Sequence, residues 1–259
     1  MGILNITPDS FADGGKYLSK SDAITQGRRL IAEGVDIIDV GGESTRPGAE
    51  RISEEDELTR VIPVVNELVK DGAVISVDTM RAEVAKQAIV AGATYINDVS
   101  GGLADEKMAQ VIASNPNIQY IVTHWRGHSK NMQEQAIYED VVKEVKDELD
   151  ERVTALLKAG VSTEQIILDP GIGFAKNSEH NWQILQNIER FQLLGYPLLV
   201  GVSRKKFLGE LVNAAEPDNR EAATIALTTE LARCGVWGVR THAVKAHKDA
   251  ISVVERLRK

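Results

Sequence analysis

Six short apolar runs each end on groups that can bind or balance charge. They are Ile3-Leu4-Asn5, Ser76-Val77-Asp78, Tyr95-Ile96-Asn97, Ile167-Leu168-Asp169, Val202-Ser203-Arg204-Lys205 and Val239-Arg240-Thr241-His242. A single Asp or Asn at such a place commonly just stops a strand and caps the next helix. Taken together they read differently, because Asn5, Asp78, Asn97, Asp169 and Lys205 can share the inward phase of their strands with Gly201 and Ser203. A ring of amide, carboxylate and ammonium groups suits a flat, nitrogen-rich heterocycle. A carboxylate takes paired N–H bonds from a guanidine-like edge, and an ammonium donates to a ring carbonyl. Arg46, Arg240 and His242, with Asn5 opposite, could hold a pyrophosphate, and a magnesium ion, which keeps most of its waters, could bridge Asn5 to phosphate oxygens. An exposed arginine is usually solvated and a lone histidine is usually a packing residue. Here the Arg-x-His spacing puts Arg240 and His242 on one face of the strand end, which favours a site.

The connections Thr7-Pro8-Asp9-Ser10-Phe11-Ala12-Asp13-Gly14-Gly15 and Gly41-Gly42-Glu43-Ser44-Thr45-Arg46-Pro47-Gly48 are long for turns. They read as lids that would bring Phe11, Thr45, Arg46 and Pro47 over the mouth and exclude water from a reactive intermediate.

Positioning such a ring requires elements that all point their ends the same way. Short β-branched runs alternate with amphipathic stretches along the whole chain, which is the pattern of repeated βα units and a parallel sheet. The expected strands are Gly2–Ile6, Val35–Val40, Ala73–Val77, Thr94–Asp98, Ile118–Thr123, Gln165–Asp169, Leu198–Val202 and Val236–Arg240. The expected helices are Ser21–Glu33, Glu54–Lys70, Arg81–Ala91, Asp105–Ser114, Ile137–Ala159, Ser178–Arg190, Asn219–Arg233 and Val244–Arg258. Gly34, Gly72, Gly92, Gly160, Gly195 and Gly235 each follow a helical stretch and read as left-handed C-caps. In the fifth helix Ile137, Val141, Val145, Leu149, Val153 and Leu157 form the apolar face. Near-equal units over 259 residues favour a single (β/α)8 TIM barrel, which needs about 250 residues, over an open doubly wound sheet. The active end is then the C-terminal mouth, and residues 1–259 form one domain.

A formal net charge of −8 argues against a nucleic-acid partner, which clustered Lys and Arg would have to hold. Cys234 is alone, so no internal disulfide forms and a reducing cytoplasm suits the chain. The start has no basic segment followed by an apolar stretch and a cleavage site, and no apolar run is long enough to span a bilayer, so no membrane partner is expected.

The successive runs Asn5-Ile6-Thr7-Pro8-Asp9-Ser10-Phe11, Asp39-Val40-Gly41-Gly42-Glu43-Ser44-Thr45-Arg46-Pro47-Gly48, Ser76-Val77-Asp78-Thr79, Ile96-Asn97-Asp98, Leu168-Asp169-Pro170-Gly171-Ile172-Gly173-Phe174 and Gly201-Val202-Ser203-Arg204-Lys205 resemble the signatures of dihydropteroate synthases. The resemblance spans essentially the whole chain, and the first two blocks in that order are highly specific. It implies a transferase of folate biosynthesis that joins 4-aminobenzoate to 6-hydroxymethyl-7,8-dihydropterin pyrophosphate. By that resemblance Asp78, Asn97, Asp169, Phe174 and Lys205 hold the pterin. Asn5, Arg46, Arg240 and His242 hold the pyrophosphate, with magnesium on Asn5. Phe11, Thr45, Pro47, Ser203 and Arg204 shape the 4-aminobenzoate pocket, where sulfonamides also bind in this family. The implied mechanism is dissociative, with Asn5, Arg46, Lys205, Arg240 and His242 as the catalytic groups, and the implied assembly is a homodimer through the last helices.

Two departures stand out. Family members usually carry an aspartate where this chain has Ala243, and many have methionine where it has Thr123, which makes the pocket wall smaller and more polar. Trp125 is open between the pocket rim and packing. Many relatives also carry a leading segment before the first strand. The departures at Ala243 and Thr123 keep a non-catalytic or weakly active pterin-binding paralogue in view, and a shared barrel with an Asp/Asn pterin clamp keeps a methyltetrahydrofolate-dependent corrinoid methyltransferase. The latter has little need for Arg46, Arg240 and His242 together.

Overall fold

The computed structural model describes residues 1–6, 20–44 and 48–259, and within them eight strands alternate with helices. In chain order these are β1 (Gly2–Asn5), α1 (Lys20–Ala32), β2 (Ile38–Gly41), α2 (Glu54–Lys70), β3 (Ile75–Asp78), α3 (Ala82–Val90), β4 (Tyr95–Asp98), α4 (Met108–Ala113) and β5 (Gln119–Thr123). There follow α5 (Val141–Lys158), β6 (Ile166–Asp169), α6 (Ser178–Gln186), α7 (Ile188–Gln192), β7 (Leu199–Val200), α8 (Lys206–Val212), α9 (Glu221–Cys234), β8 (Gly238–Val239) and α10 (Val244–Leu257). Strands β1 to β6 pair in chain order, every pair parallel, and β7 pairs with β8.

Closure rests on two bridges. Leu168 of β6 meets Leu198, just ahead of β7, and Gly2 of β1 meets Thr241, just after β8. The Ile3 N–H donates to the Thr241 carbonyl at 2.9 Å, and the Thr241 N–H to the Met1 carbonyl at 3.0 Å. First and last strands therefore touch, the sheet is a closed (β/α)8 barrel, and the open doubly wound sheet is overturned. Because single bridges make these seams, β7 and β8 have two residues each where the sequence suggested five.

The helices show what patterning resolves. Helix α2 covers the expected span, with the Ser53 hydroxyl accepting from the Asp56 N–H at 3.0 Å. Helix α5 starts at Val141, where Asp140 caps it by accepting from the Lys143 N–H at 3.0 Å, so Ile137 lies outside it and is 78% exposed. Its buried face passes from Val153 to Leu156 and leaves Leu157 half-exposed. Repeated steps of four residues drift round a 3.6-residue helix, and one step of three restores the face. The expected Ser178–Arg190 helix divides at Asn187 into α6 and α7, and α8 was not anticipated. The glycines named as C-caps all take left-handed φ, from 76° to 103°.

Two apolar layers result. The larger fills the space between barrel and helices, while Ile121, Ile167 and Leu199 meet inside the barrel with Met1 and Tyr95 against them. The interior is apolar where these side chains meet, while Asp39 and Ser76, mid-strand in β2 and β3, bury polar groups below the C-terminal mouth. Among the described residues no helix is long and apolar enough to cross a membrane.

The N-cap of helix α10 is Ala243, whose side chain cannot accept from the first-turn N–H groups. Placing an aspartate there by Ala243→Asp should stabilise the protein by about 1 kcal/mol, by satisfying a first-turn N–H and countering the helix dipole. Chemical denaturation reads the change, and an unmoved midpoint would mean that those donors are already satisfied.

Candidate active site

Register sets the first row of the mouth. Asn5, Gly41 and Asp78 are cross-strand neighbours, Asp78 neighbours Asn97, and Thr123 neighbours Asp169. A Cβ on Gly41 would lie 3.6 Å from Asn5 Oδ1 and 3.8 Å from Asp78 Oδ2, so the glycine lets two polar side chains lean over its backbone. Above this row opens a cavity of about 1780 Å³ whose lining includes Asn5, Asn97, Asp169, Phe174, Ser203, Lys205, Arg240 and His242.

Arg240 is the hub. Its Nε donates to Asp39 Oδ2 at 2.6 Å and its Nη2 to Asp78 Oδ2 at 2.9 Å, and the Asn97 amide donates to the same Asp39 oxygen at 2.9 Å. Asp39 is fully buried and Asp78 nearly so. Burial raises the Asp78 carboxyl well above the usual carboxylate range, against the pull of Arg240 and with the help of Asp39. Two acids thus face one guanidinium, a layout that holds Arg240 at a fixed angle. Asp78 is reached through Arg240 and is not among the residues that line the cavity.

The loop after β6 forms one wall. Asp169 Oδ1 accepts from the Gly171 N–H at 2.8 Å, and Gly171 takes φ 69° with its Cβ position 2.5 Å from the His124 carbonyl, so no larger residue fits. Lys205 Nζ donates to the Ile172 carbonyl and stands 4.9 Å from the centre of the Phe174 ring. Burial lowers Lys205 to about 8, with Asp169 pulling it back up. Under this loop Lys176 donates to the Gly171 carbonyl at 3.1 Å and the Phe174 carbonyl at 3.0 Å, and lies 2.9 Å from His124 Nδ1. Burial holds His124 at about 4, so its ring is neutral, and Nε2, 2.9 Å from Glu148, carries the proton.

Ser203, two residues before Lys205, has its Oγ 2.9 Å from His242 Nδ1 and accepts from the His242 N–H at 3.2 Å. Arg204 borders the cavity, but its guanidinium turns to Glu221 and Asp218. A carboxylate, an ammonium, a hydroxyl, an imidazole and a guanidinium gathered from neighbouring strand ends can seat a polar aromatic bicycle beside an anion.

Residues 1–242 match the profile of the pterin binding enzymes. The chain is 45% identical over 260 residues to the dihydropteroate synthase of Mycobacterium leprae, covering 98% of this chain and 91% of that one. It belongs to the dihydropteroate synthase family. Among solved structures, the Xanthomonas albilineans dihydropteroate synthase with 4-aminobenzoic acid superposes with a TM-score of 0.93 at 39% identity, covering 100% of this chain and 92% of that one. The Yersinia pestis dihydropteroate synthase with a sulfonamide drug gives a TM-score of 0.92 at 37% identity, covering 100% and 93%.

Against that family frame, the fold brings Asn5, Asp78, Asn97, Asp169, Phe174, Ser203, Lys205, Arg240 and His242 to one mouth. Phe11, Thr45, Arg46 and Pro47 lie outside the described residues, and with them the whole of the first expected lid and the centre of the second. Trp125 stacks edge-on against His128, with ring centres 5.0 Å apart. Buried Thr123 packs its methyl toward Gly171, 3.4 Å from the position of a Cβ there. Sequence reasoning missed Asp39 and Lys176. Each was visible only as a charged residue in an otherwise apolar or small-residue run, Ile38-Asp39-Val40 and Phe174-Ala175-Lys176.

Lys205 supplies a pH test. If its ammonium binds substrate, kcat/KM should hold steady below pH of about 8 and fall above it, and the alkaline limb should vanish in Lys205→Met. The stability contribution runs the other way. The unfolded chain holds that proton up to about 10.5, so stability rises with pH between about 8 and 10.5. An alkaline limb retained in Lys205→Met would remove Lys205 from this role.

Proposed function

We infer that the protein is a dihydropteroate synthase, joining 4-aminobenzoate to 6-hydroxymethyl-7,8-dihydropterin pyrophosphate to give 7,8-dihydropteroate and pyrophosphate. The observation that carries this reading is the gathering, at one barrel mouth, of Asp169 and Lys205 with Arg240 and the Ser203–His242 pair. The first pair suits the donor and acceptor edge of a pterin, and the second suits a diphosphate.

In this reading Asp78, Asn97, Asp169, Phe174 and Lys205 hold the pterin. Arg240, His242 and Asn5, together with Arg46, hold the diphosphate, and Ser203 with Phe11, Thr45 and Pro47 borders the 4-aminobenzoate, a pocket that sulfonamides share. Arg240 has Nε and Nη2 on Asp39 and Asp78, which leaves Nη1 to donate to a ligand. The C–O bond to the diphosphate breaks first and its electrons leave with the diphosphate. The pterin methylene, now cationic, takes the lone pair of the arylamine, which then loses a proton. Such a path needs positioned charge more than a strong base. Buried acids close to the developing cation favour it, and Arg240 and His242 favour the departing anion.

The magnesium reading rests on Asn5. Its amide oxygen leans over Gly41 beside Asp78, a single neutral oxygen ligand of the kind that suits an ion completed by water and phosphate oxygens. Bound there, the ion would neutralise charge on the leaving diphosphate. The lone Cys234 supports a reducing, cytoplasmic setting, and Val253 and Leu257, exposed on α10, support a homodimer through the last helices. Incubating the protein with both substrates and following pyrophosphate and 7,8-dihydropteroate decides the assignment. Folded protein that binds the pterin yet yields neither product would be the inactive paralogue.

A further inference from the structure

Arg204 holds a left-handed backbone, φ 58°, which non-glycine residues seldom adopt because Cβ crowds the following carbonyl oxygen. A residue persists there only when its surroundings over-determine it. Its N–H donates to Thr224 Oγ1 at 3.2 Å, its carbonyl accepts from Arg220 Nη1 at 2.9 Å, and its Nε donates to Glu221 Oε2 at 2.8 Å. Asp218 pairs with the other arm of the guanidinium. All of these partners come from the turn Pro217–Arg220 and the start of α9. Glu221 is fixed in turn, its Oε1 lying 2.7 Å from Nε2 of the buried His247, whose Nδ1 lies 2.8 Å from Thr228 Oγ1.

The neighbours of this clamped residue are Ser203 and Lys205. Ser203 meets His242, Lys205 meets Phe174 and the Ile172 carbonyl, and both line the cavity. Strand β7 ends at Val200 and α8 begins at Lys206, so between them the chain must leave the barrel while keeping these two side chains at its mouth. A left-handed residue between them makes that turn.

We propose that Arg204 is a positioning residue: its clamped left-handed backbone sets Ser203 and Lys205 at the mouth, and its guanidinium serves the clamp instead of contacting 4-aminobenzoate. The proposal rests on the reading of Ser203 and Lys205 as ligand groups.

Four substitutions that all delete the guanidinium separate backbone from side chain. Gly and Asn accept left-handed φ, Ala resists it and a β-branched Val resists it most. The expected order of kcat/KM, per folded molecule and well below each unfolding midpoint, is Arg204→Gly and Arg204→Asn above Arg204→Ala above Arg204→Val. The ends of the series should differ by roughly five- to thirtyfold. Glu221→Gln should lower kcat/KM in the native background and change nothing further in Arg204→Gly, which needs no clamp. Equal losses in all four variants would put the guanidinium on a substrate, and equal retention would leave Arg204 no role. An order confined to unfolding midpoints would make it structural only, and each of these three results overturns the proposal. Wild-type protein that yields no product would instead speak against the assigned reaction. The same order is then read in pterin affinity by calorimetry, where the same results decide.

Discussion

Replacing Arg240 by methionine should cost the folded protein about 3–5 kcal/mol, because the guanidinium is the shared partner of two buried acids and its loss leaves both uncompensated. Asp39 is 0% and Asp78 6% exposed, and at 2.6 and 2.9 Å both hold the same guanidinium. The deficit should depend on pH with a definite sign. In the variant the Asp78 carboxyl, raised by burial, also loses the pull of Arg240, so the folded variant holds that proton more tightly than the native protein does. The part of the deficit that comes from Asp78 is therefore absent in acid and grows as pH rises through its native value of about 8. Adding Asp39→Asn should return part of the stability by removing one buried charge. It should not return activity, since the donor to the diphosphate is gone; the loss there should be on the order of a hundred- to a thousandfold in kcat, as for other fixed donors to developing charge. Urea denaturation across pH, beside turnover, reads both. A pH-independent deficit below about 1 kcal/mol would mean that Arg240 does not compensate these acids.

How much of this was legible in the sequence follows from what each element has to hide. The ring of strand-end groups could be read because parallel strands in register bring their C-terminal residues level, which is how Asn5, Gly41 and Asp78 come to share a row. In β2 and β3 all four positions are buried: Ile38, Val40, Ile75 and Val77 pack in the outer core and Asp39, Ser76 and Asp78 take the other phase, so the alternation does not follow an exposed and a buried face. Asp39 was therefore seen as part of a signature and not as the partner of Arg240. The long α2 was read to the residue, whereas α8, seven residues with Gly209 inside, is too short to show a period. Arg204 failed for another reason. Three consecutive polar residues give no hint that the middle one turns left-handed and that its charge is met by Glu221 and Asp218, 17 and 14 residues later.

Asp169→Asn separates charge from shape in the pterin clamp. The amide can keep the 2.8 Å bond from the Gly171 N–H through its oxygen, so the loop after β6 should stay in place. What changes is the second atom, which becomes a donor facing a donor edge. Pterin affinity should fall by about 2–3 kcal/mol, or roughly thirty- to a hundredfold and more, the value of a hydrogen bond to a charged partner. Stability should move little, since burial raises the Asp169 carboxyl and its replacement removes a charge that folding had to desolvate. The substitution also takes from Lys205 the acid that holds its proton on, so the alkaline limb of kcat/KM should move below about 8. Affinity and limb thus shift together if one carboxylate serves both the heterocycle and the ammonium. Unchanged pterin affinity in a folded Asp169→Asn protein would place the clamp elsewhere on the rim. A weakened affinity with an unmoved limb would separate Lys205 from Asp169 and leave the ammonium to act through Phe174 and the Ile172 carbonyl alone.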